Sequence, residues 1–164
     1  MRASRCHDAE VIAAYPGSFD PLHLGHLSVI ERVAGQFEQL VVLVLANPSK
    51  THMLTVERRV ELVAASTAHL GNVRAIGHVG LTVDGARAVG AGVLVRNAGK
   101  EQQVEVTMAV TNQVVSGLPT VLVPPDPNTA TISSTFVREL VRHRRYDDIA
   151  PLVPEPVHLA LSGL

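Results

Sequence analysis

A doubly wound, five-stranded parallel α/β sheet is the fold this 164-residue sequence predicts. Two observations carry that reading. Short apolar runs alternate with segments whose apolar residues recur at helical spacing. One of these runs, Leu40 to Ala46, is apolar throughout, the pattern of a strand buried on both faces. Strands that alternate with helices pair in parallel through right-handed crossovers, which puts helices on both sides of the sheet.

Taken in order, Val11 to Ala14 reads as a first strand. It runs into a turn punctuated by Gly and Pro, Tyr15-Pro16-Gly17-Ser18-Phe19-Asp20-Pro21. A helix follows from Leu27 to Phe37, with His23 and His26 at its opening. The second strand, Leu40 to Ala46, ends in the loop Asn47-Pro48-Ser49-Lys50. Thr55 is placed as the N-cap of the next helix, with Glu57 in its first turn and an inward stripe of Val56, Val60, Val63 and Thr67. Val73 to Val79 alternates and is the third strand. Asp84 to Ala91 is a short helix, and Val93 to Val95 is a fourth strand with Arg96 at its end. Glu101 to Ser116 is expected as the longest helix and Thr120 to Val123 as the fifth strand. A proline-rich loop, Pro124 to Thr131, then leads to Ile132-Ser133-Ser134-Thr135 and another helix ending near His143. Pro151, Pro154 and Pro156 break the tail before a last helical turn or two.

Composition limits the function classes. Hydrophobic residues make up 46 % but aromatics only 3 %, so the core is expected from Val, Leu, Ile and Ala. A formal net charge of −1 argues against a general nucleic-acid or membrane-surface binder, so any anion site needs a few placed cations. The single cysteine, Cys6, excludes an internal disulfide framework and points to a reducing, cytoplasmic setting. No apolar stretch reaches the roughly 20 residues that span a bilayer. Residues 1–10 read as a flexible lead-in, and 11–164 as one domain.

Ligands of doubly wound sheets bind beyond the C-terminal strand ends, where strand order reverses. The chemistry-bearing residues fall there. Ser18, His23 and His26 follow the first strand, and Lys50 the second. Thr82 follows the third, Arg96 the fourth, and Ser133, Ser134 and Thr135 the fifth. His23 and His26, three apart, share one face of a helical turn. A helix start adds unpaired N–H groups and a positive dipole end, which favour a phosphate chain. Plainer readings compete. Lys50 also fits a solvated surface charge, Glu105 an exposed helix face, and Ser133 to Thr135 a helix cap alone. Met108 suits packing, and Arg96 at a buried strand end is costly without an anion beside it.

The His23-Leu24-Gly25-His26 stretch, with Ser18-Phe19-Asp20-Pro21 upstream, resembles the T/H-x-G-H signature of the nucleotidyltransferase superfamily. With Asn47 to Lys50, Glu57-Arg58-Arg59, Thr67 to Val73 and Ile132 to Glu139, the likeness narrows to the phosphopantetheine adenylyltransferase family, from about Val11 to the C-terminus. The resemblance implies a Rossmann-like nucleotidyltransferase fold. It implies adenylyl transfer from ATP to 4′-phosphopantetheine, giving dephospho-CoA and pyrophosphate with Mg²⁺ present, and a homo-oligomer with a hexamer favoured. By position it casts His26, His23, Lys50 and Arg96 as catalytic. Ser18, Lys50, Thr82, Arg96, Met108 and Asn112 would hold the acceptor. Gly17, Ser18, Phe19, His26, Glu105, Ser133, Ser134 and Thr135 would hold the nucleotide, and no residue is cast as a metal ligand.

The acceptor phosphate is already a nucleophile at neutral pH, so positioning and charge stabilisation suffice. The sequence departs from the family pattern after Arg96, where Asn97 to Glu101 is about two residues short and a second arginine has no counterpart beyond Lys100. Val104 also replaces a tyrosine of the pattern. These losses leave two alternatives open. One is a paralogue acting on another phosphate or phosphonate, or using CTP. The other is a weakly catalytic nucleotide-binding regulator.

Overall fold

The computed structural model describes residues 11–46, 51–99 and 102–164, with Gln102 in backbone alone. Five parallel strands form one sheet in the order β3-β2-β1-β4-β5. In chain order the elements are β1 (Ile12–Gly17), α1 (Leu24–Ala34), β2 (Gln39–Ala46), α2 (Val56–Ser66) and β3 (Val73–Val79). Then come α3 (Thr82–Ala88), β4 (Val93–Asn97), α4 (Gln102–Ser116), β5 (Thr120–Val123) and α5 (Ser134–Arg142). A 3₁₀ turn at Tyr146–Asp148 and α6 (Glu155–Ser162) close the fold.

The strand order reverses between β1 and β4, which sends crossovers to opposite faces. On one face Val29, Ile30 and Val33 of α1 pack with Leu40, Val42 and Val44 of β2, and with Val157 and Leu161 of α6. The other face is built mostly from alanine, with Ala14, Ala86 and Ala91 around Leu94. A Cβ at Gly85 would meet the side chains of Leu43 and His78 at 2.7 Å, so glycine is what lets α3 lie this close to the sheet. The run Leu40 to Val44 is at most 1 % exposed, as a strand covered on both faces must be.

Several boundaries move, among them the end of α1, at Ala34 rather than Phe37, and the end of β4, at Asn97 rather than Val95. β1 runs on through Tyr15, Pro16 and Gly17, which pair with Val42, Leu43 and Val44 of β2. Proline is tolerated there because the registered pairing with β4 stops at Ala14. α1 starts at Leu24 rather than Leu27, so His23 caps the helix instead of sharing a turn with His26. α3 starts at Thr82 and ends before Val89, two to three residues earlier than periodicity predicts. The lead-in 1–10 and the Lys50 loop lie outside the described residues.

Candidate active site

At the switch point a cavity of about 180 Å³ opens beyond the ends of β1 and β4. Tyr15, Pro16, Gly17 and Phe19 form one wall, with His26 from α1. Arg96 and Asn97 of β4 and Glu105 of α4 form the other. Phe19, with φ of 48°, is turned inward and 2 % exposed. Its ring meets Tyr15 edge-on at 5.4 Å and His26 at 5.0 Å. A Cβ at Gly17 would strike that ring at 2.8 Å, so the approach requires glycine.

The two histidines are held by the helix they begin. Gly25 N–H donates to His23 Nδ1 at 3.1 Å, and His23 N–H donates to His26 Nδ1 at 3.3 Å. Each imidazole therefore accepts at Nδ1 and, when neutral, carries its proton on Nε2. The rings stack with centroids 3.7 Å apart. Burial pushes His23 down to about 4. Burial, with a smaller push from His23, holds His26 well below the usual histidine value. Both are neutral at pH 7.

The expected unpaired N–H groups of this helix start are not there. Leu24 donates to the Leu152 carbonyl at 2.9 Å. His26 and Leu27 both donate to the His23 carbonyl, at 2.9 and 3.1 Å. With Gly25 spent on His23, the donor this helix end turns toward the cavity is an imidazole, not a backbone amide.

Arg96 has the anion that its burial calls for, and it belongs to the protein. Nε and Nη2 donate to Glu105 at 2.6 and 2.9 Å, so Glu105 is not a solvated face residue. Ser18 lines a smaller neighbouring cavity with Asp20, Thr51, His52 and Arg138. Ser133 caps α5 through the Phe136 N–H, Ser134 donates to the Pro21 carbonyl at 2.9 Å, and Thr135 accepts from Arg138. Among the described residues, the N–H groups of Ser134 and Thr135 find no partner, so this helix start keeps donors that α1 has spent. Thr82 opens α3, just after the edge strand β3, and does not line the cavity. Met108 is half-exposed and Asn112 buried along α4, and neither lines the cavity.

Sequence reasoning passed over the residues that hold the loop in shape. Asp20, 3 % exposed, accepts from Met53 and Leu54 N–H at 2.8 and 2.9 Å, with His52 Nδ1 3.5 Å away. Arg59, 2 % exposed, donates through Nη1 to the carbonyls of Ser18 at 2.6 Å and Leu45 at 3.0 Å. Its Nε donates to the Leu54 carbonyl at 3.2 Å. The signal was present: Arg59 lies three residues after Val56 and four before Val63, on the stripe read as inward. Arg138 ties α5 to the same loop, donating to the Asp20 carbonyl at 2.7 Å.

The cytidylyltransferase-like family profile matches residues 14–140. Two curated relatives, named phosphopantetheine adenylyltransferase, come from Actinobacillus pleuropneumoniae serotypes 3 and 7. Each is 43 % identical over 151 residues, spanning 90 % of this chain and 94 % of the relative. Among solved structures, one described as a nicotinate-nucleotide adenylyltransferase from Vibrio parahaemolyticus superposes with a TM-score of 0.68. It covers 93 % of this chain and 98 % of that one at 21 % identity, a likeness of fold.

Proposed function

The chain belongs to the phosphopantetheine adenylyltransferase family of nucleotidyltransferases, and from that premise we propose that it transfers an adenylyl group from ATP to 4′-phosphopantetheine. Dephospho-CoA and pyrophosphate are the products. The observation that carries the site assignment is the pairing of a neutral, donor-only His26 face with Arg96 across one cavity at the switch point.

On this reading the acceptor phosphate, anchored at Arg96, attacks the α-phosphate in line and pyrophosphate leaves. No general base is needed. His26, with its Nδ1 occupied, donates from Nε2 to the oxygens on which charge grows at the five-coordinate α-phosphorus. His23 fixes that orientation from behind. Lys50 and Ser18 would add to the acceptor side, and the α5 start at Ser133 to Thr135 would meet the β- and γ-phosphates through its remaining N–H groups. Gly17 and Phe19 would lie beside the nucleotide. Thr82, Met108 and Asn112 would line the path of the pantetheine arm.

Among the described residues no three His, Cys, Asp or Glu side chains converge on a metal position. A Mg²⁺ brought in with the nucleotide would screen the charge of its phosphates. We further infer a homo-oligomer, with a hexamer favoured. In support, α4 bares Val104, Val110, Val114 and Val115, with Val114 80 % exposed. Light scattering on the purified chain tests this. Among the described residues no helix could cross a membrane, and a cytoplasmic location is proposed with the family's chemistry.

The test is pyrophosphate release, with ATP or CTP crossed against 4′-phosphopantetheine, a phosphonate and no acceptor. Release with ATP and 4′-phosphopantetheine alone is expected. Release with a different pair, or with none, would overturn the reading.

A further inference from the structure

Arg96 enters the cavity wall with a carboxylate already on it. Nε meets Glu105 Oε2 at 2.6 Å and Nη2 meets Oε1 at 2.9 Å. Both side chains are mostly buried, at 21 % and 17 % exposure, so water screens the pair weakly. The two bonds use the Nε–Nη2 edge as a fork and leave three N–H donors, both on Nη1 and one on Nη2, close beside the carboxylate. A phosphate seated on Arg96 as the fold stands would press its charge against that carboxylate. Beside them, Asn97 holds a buried Oδ1 with no hydrogen-bond partner among the described residues, an acceptor on the same wall.

We propose that Glu105 is a gate on Arg96. Its carboxylate occupies the Nε–Nη2 edge, and a phosphate-bearing ligand binds by displacing it. The exchange sets specificity. A carboxylate ligand replaces like with like and gains little, whereas a phosphate dianion brings more charge and more acceptor oxygens to the same guanidinium. Once released, the Glu105 carboxylate joins Asn97 Oδ1 as a second acceptor, suited to hydroxyl or N–H donors of whatever ligand fills the cavity. This rests on the reading of Arg96 as the anchor of the acceptor phosphate, and it adds a competitor that the site carries itself.

The test measures binding by calorimetry in the full chain, with inorganic phosphate and acetate as probes. Wild type, Glu105→Gln, Arg96→Gln and the two combined are compared, their folding checked by far-ultraviolet circular dichroism. Glu105→Gln keeps the shape but not the charge. It is expected to bind phosphate about tenfold tighter and to discriminate less against acetate, a gain that disappears when Arg96→Gln is combined with it. A residue that merely positioned Arg96 would show the opposite, weaker binding on removal. Unchanged or weaker phosphate binding in folded Glu105→Gln, or a gain from Glu105→Gln that persists when Arg96→Gln is added, would overturn the gate. Neither probe depends on adenylyl transfer, so failure of the catalytic reading appears separately, in the pyrophosphate assay.

Discussion

His23 and His26 cap each other's turn: His23 Nδ1 accepts the Gly25 N–H while His26 Nδ1 accepts the His23 N–H. A Ser or Asp at the same position would cap α1 as well. Only a ring can accept at one nitrogen and, from the other, present a proton to a ligand. The arrangement spends the helix's amide donors and replaces them with imidazole donors of fixed tautomer.

The arrangement makes folding acid-sensitive in a defined window. In the unfolded chain histidine titrates near 6.5, whereas burial pushes His23 down to about 4 in the fold. Above pH 6.5 neither state takes the proton, and this contribution to stability is intact. As pH falls toward 4 the unfolded state binds a proton that the folded state refuses, and stability drops by on the order of 3 kcal/mol for this group. His26 shifts in the same direction. Denaturation midpoints measured from pH 8 to 4.5 should fall below 6.5. His23→Asn, which still caps but does not titrate, should flatten the fall. An identical slope in wild type and variant would refute the link.

His26→Ala is expected to reduce turnover by about 10² or more while leaving nucleotide affinity within a few-fold. A donor aimed at developing charge matters more in the transition state than in the ground state. Steady-state kinetics beside direct ATP titration separates the two effects. An equal loss in both would mean that His26 holds the ground state instead.

Arg59→Met should cost on the order of 3 kcal/mol. The change strips donors from the carbonyls of Ser18, Leu45 and Leu54, with the Asp20 charge left beside a neutral side chain. Because Ser18 adjoins the cavity wall, activity should fall further than stability explains at a temperature where the variant remains folded. Urea melts paired with kinetics at low temperature check this. Full activity in a folded variant would confine Arg59 to structure.

Much of the frame was legible because it is written in local signals. β3 and β5 span the residues that alternation and turn chemistry assign, and the Thr55 cap of α2 is where the pattern puts it. The candidate site was legible as a place more than as a set of bonds. Strand ends pointed to the switch point, but the Arg96–Glu105 fork joins residues nine apart on a strand and a helix, and no spacing rule reports that. Arg59 was hidden by its charge, since a guanidinium on a helix normally reads as solvated. Its burial depends on the carbonyls of Ser18 and Leu45, which only the fold brings to it. The donors of α1 were misjudged for a related reason, because histidine is seldom counted among the capping residues.

Gly25 offers the most direct test of the paired histidines. A Cβ there would lie 2.9 Å from His23 Cε1, 3.0 Å from His23 Nδ1 and 3.3 Å from the Thr129 carbonyl oxygen. The carbonyl is backbone, and the His23 ring is stacked on His26, so neither gives way without moving the pair. Gly25→Ala should therefore destabilise by about 1–3 kcal/mol despite alanine's better helix propensity. It should also lower turnover at least tenfold by turning His26 off its line, an effect of the kind a small misplacement produces. Gly35→Ala is the control, since a Cβ there meets nothing within 4 Å. If Gly25→Ala matched the control in melting temperature and turnover, the close packing of His23 over Gly25 would not be what orients His26.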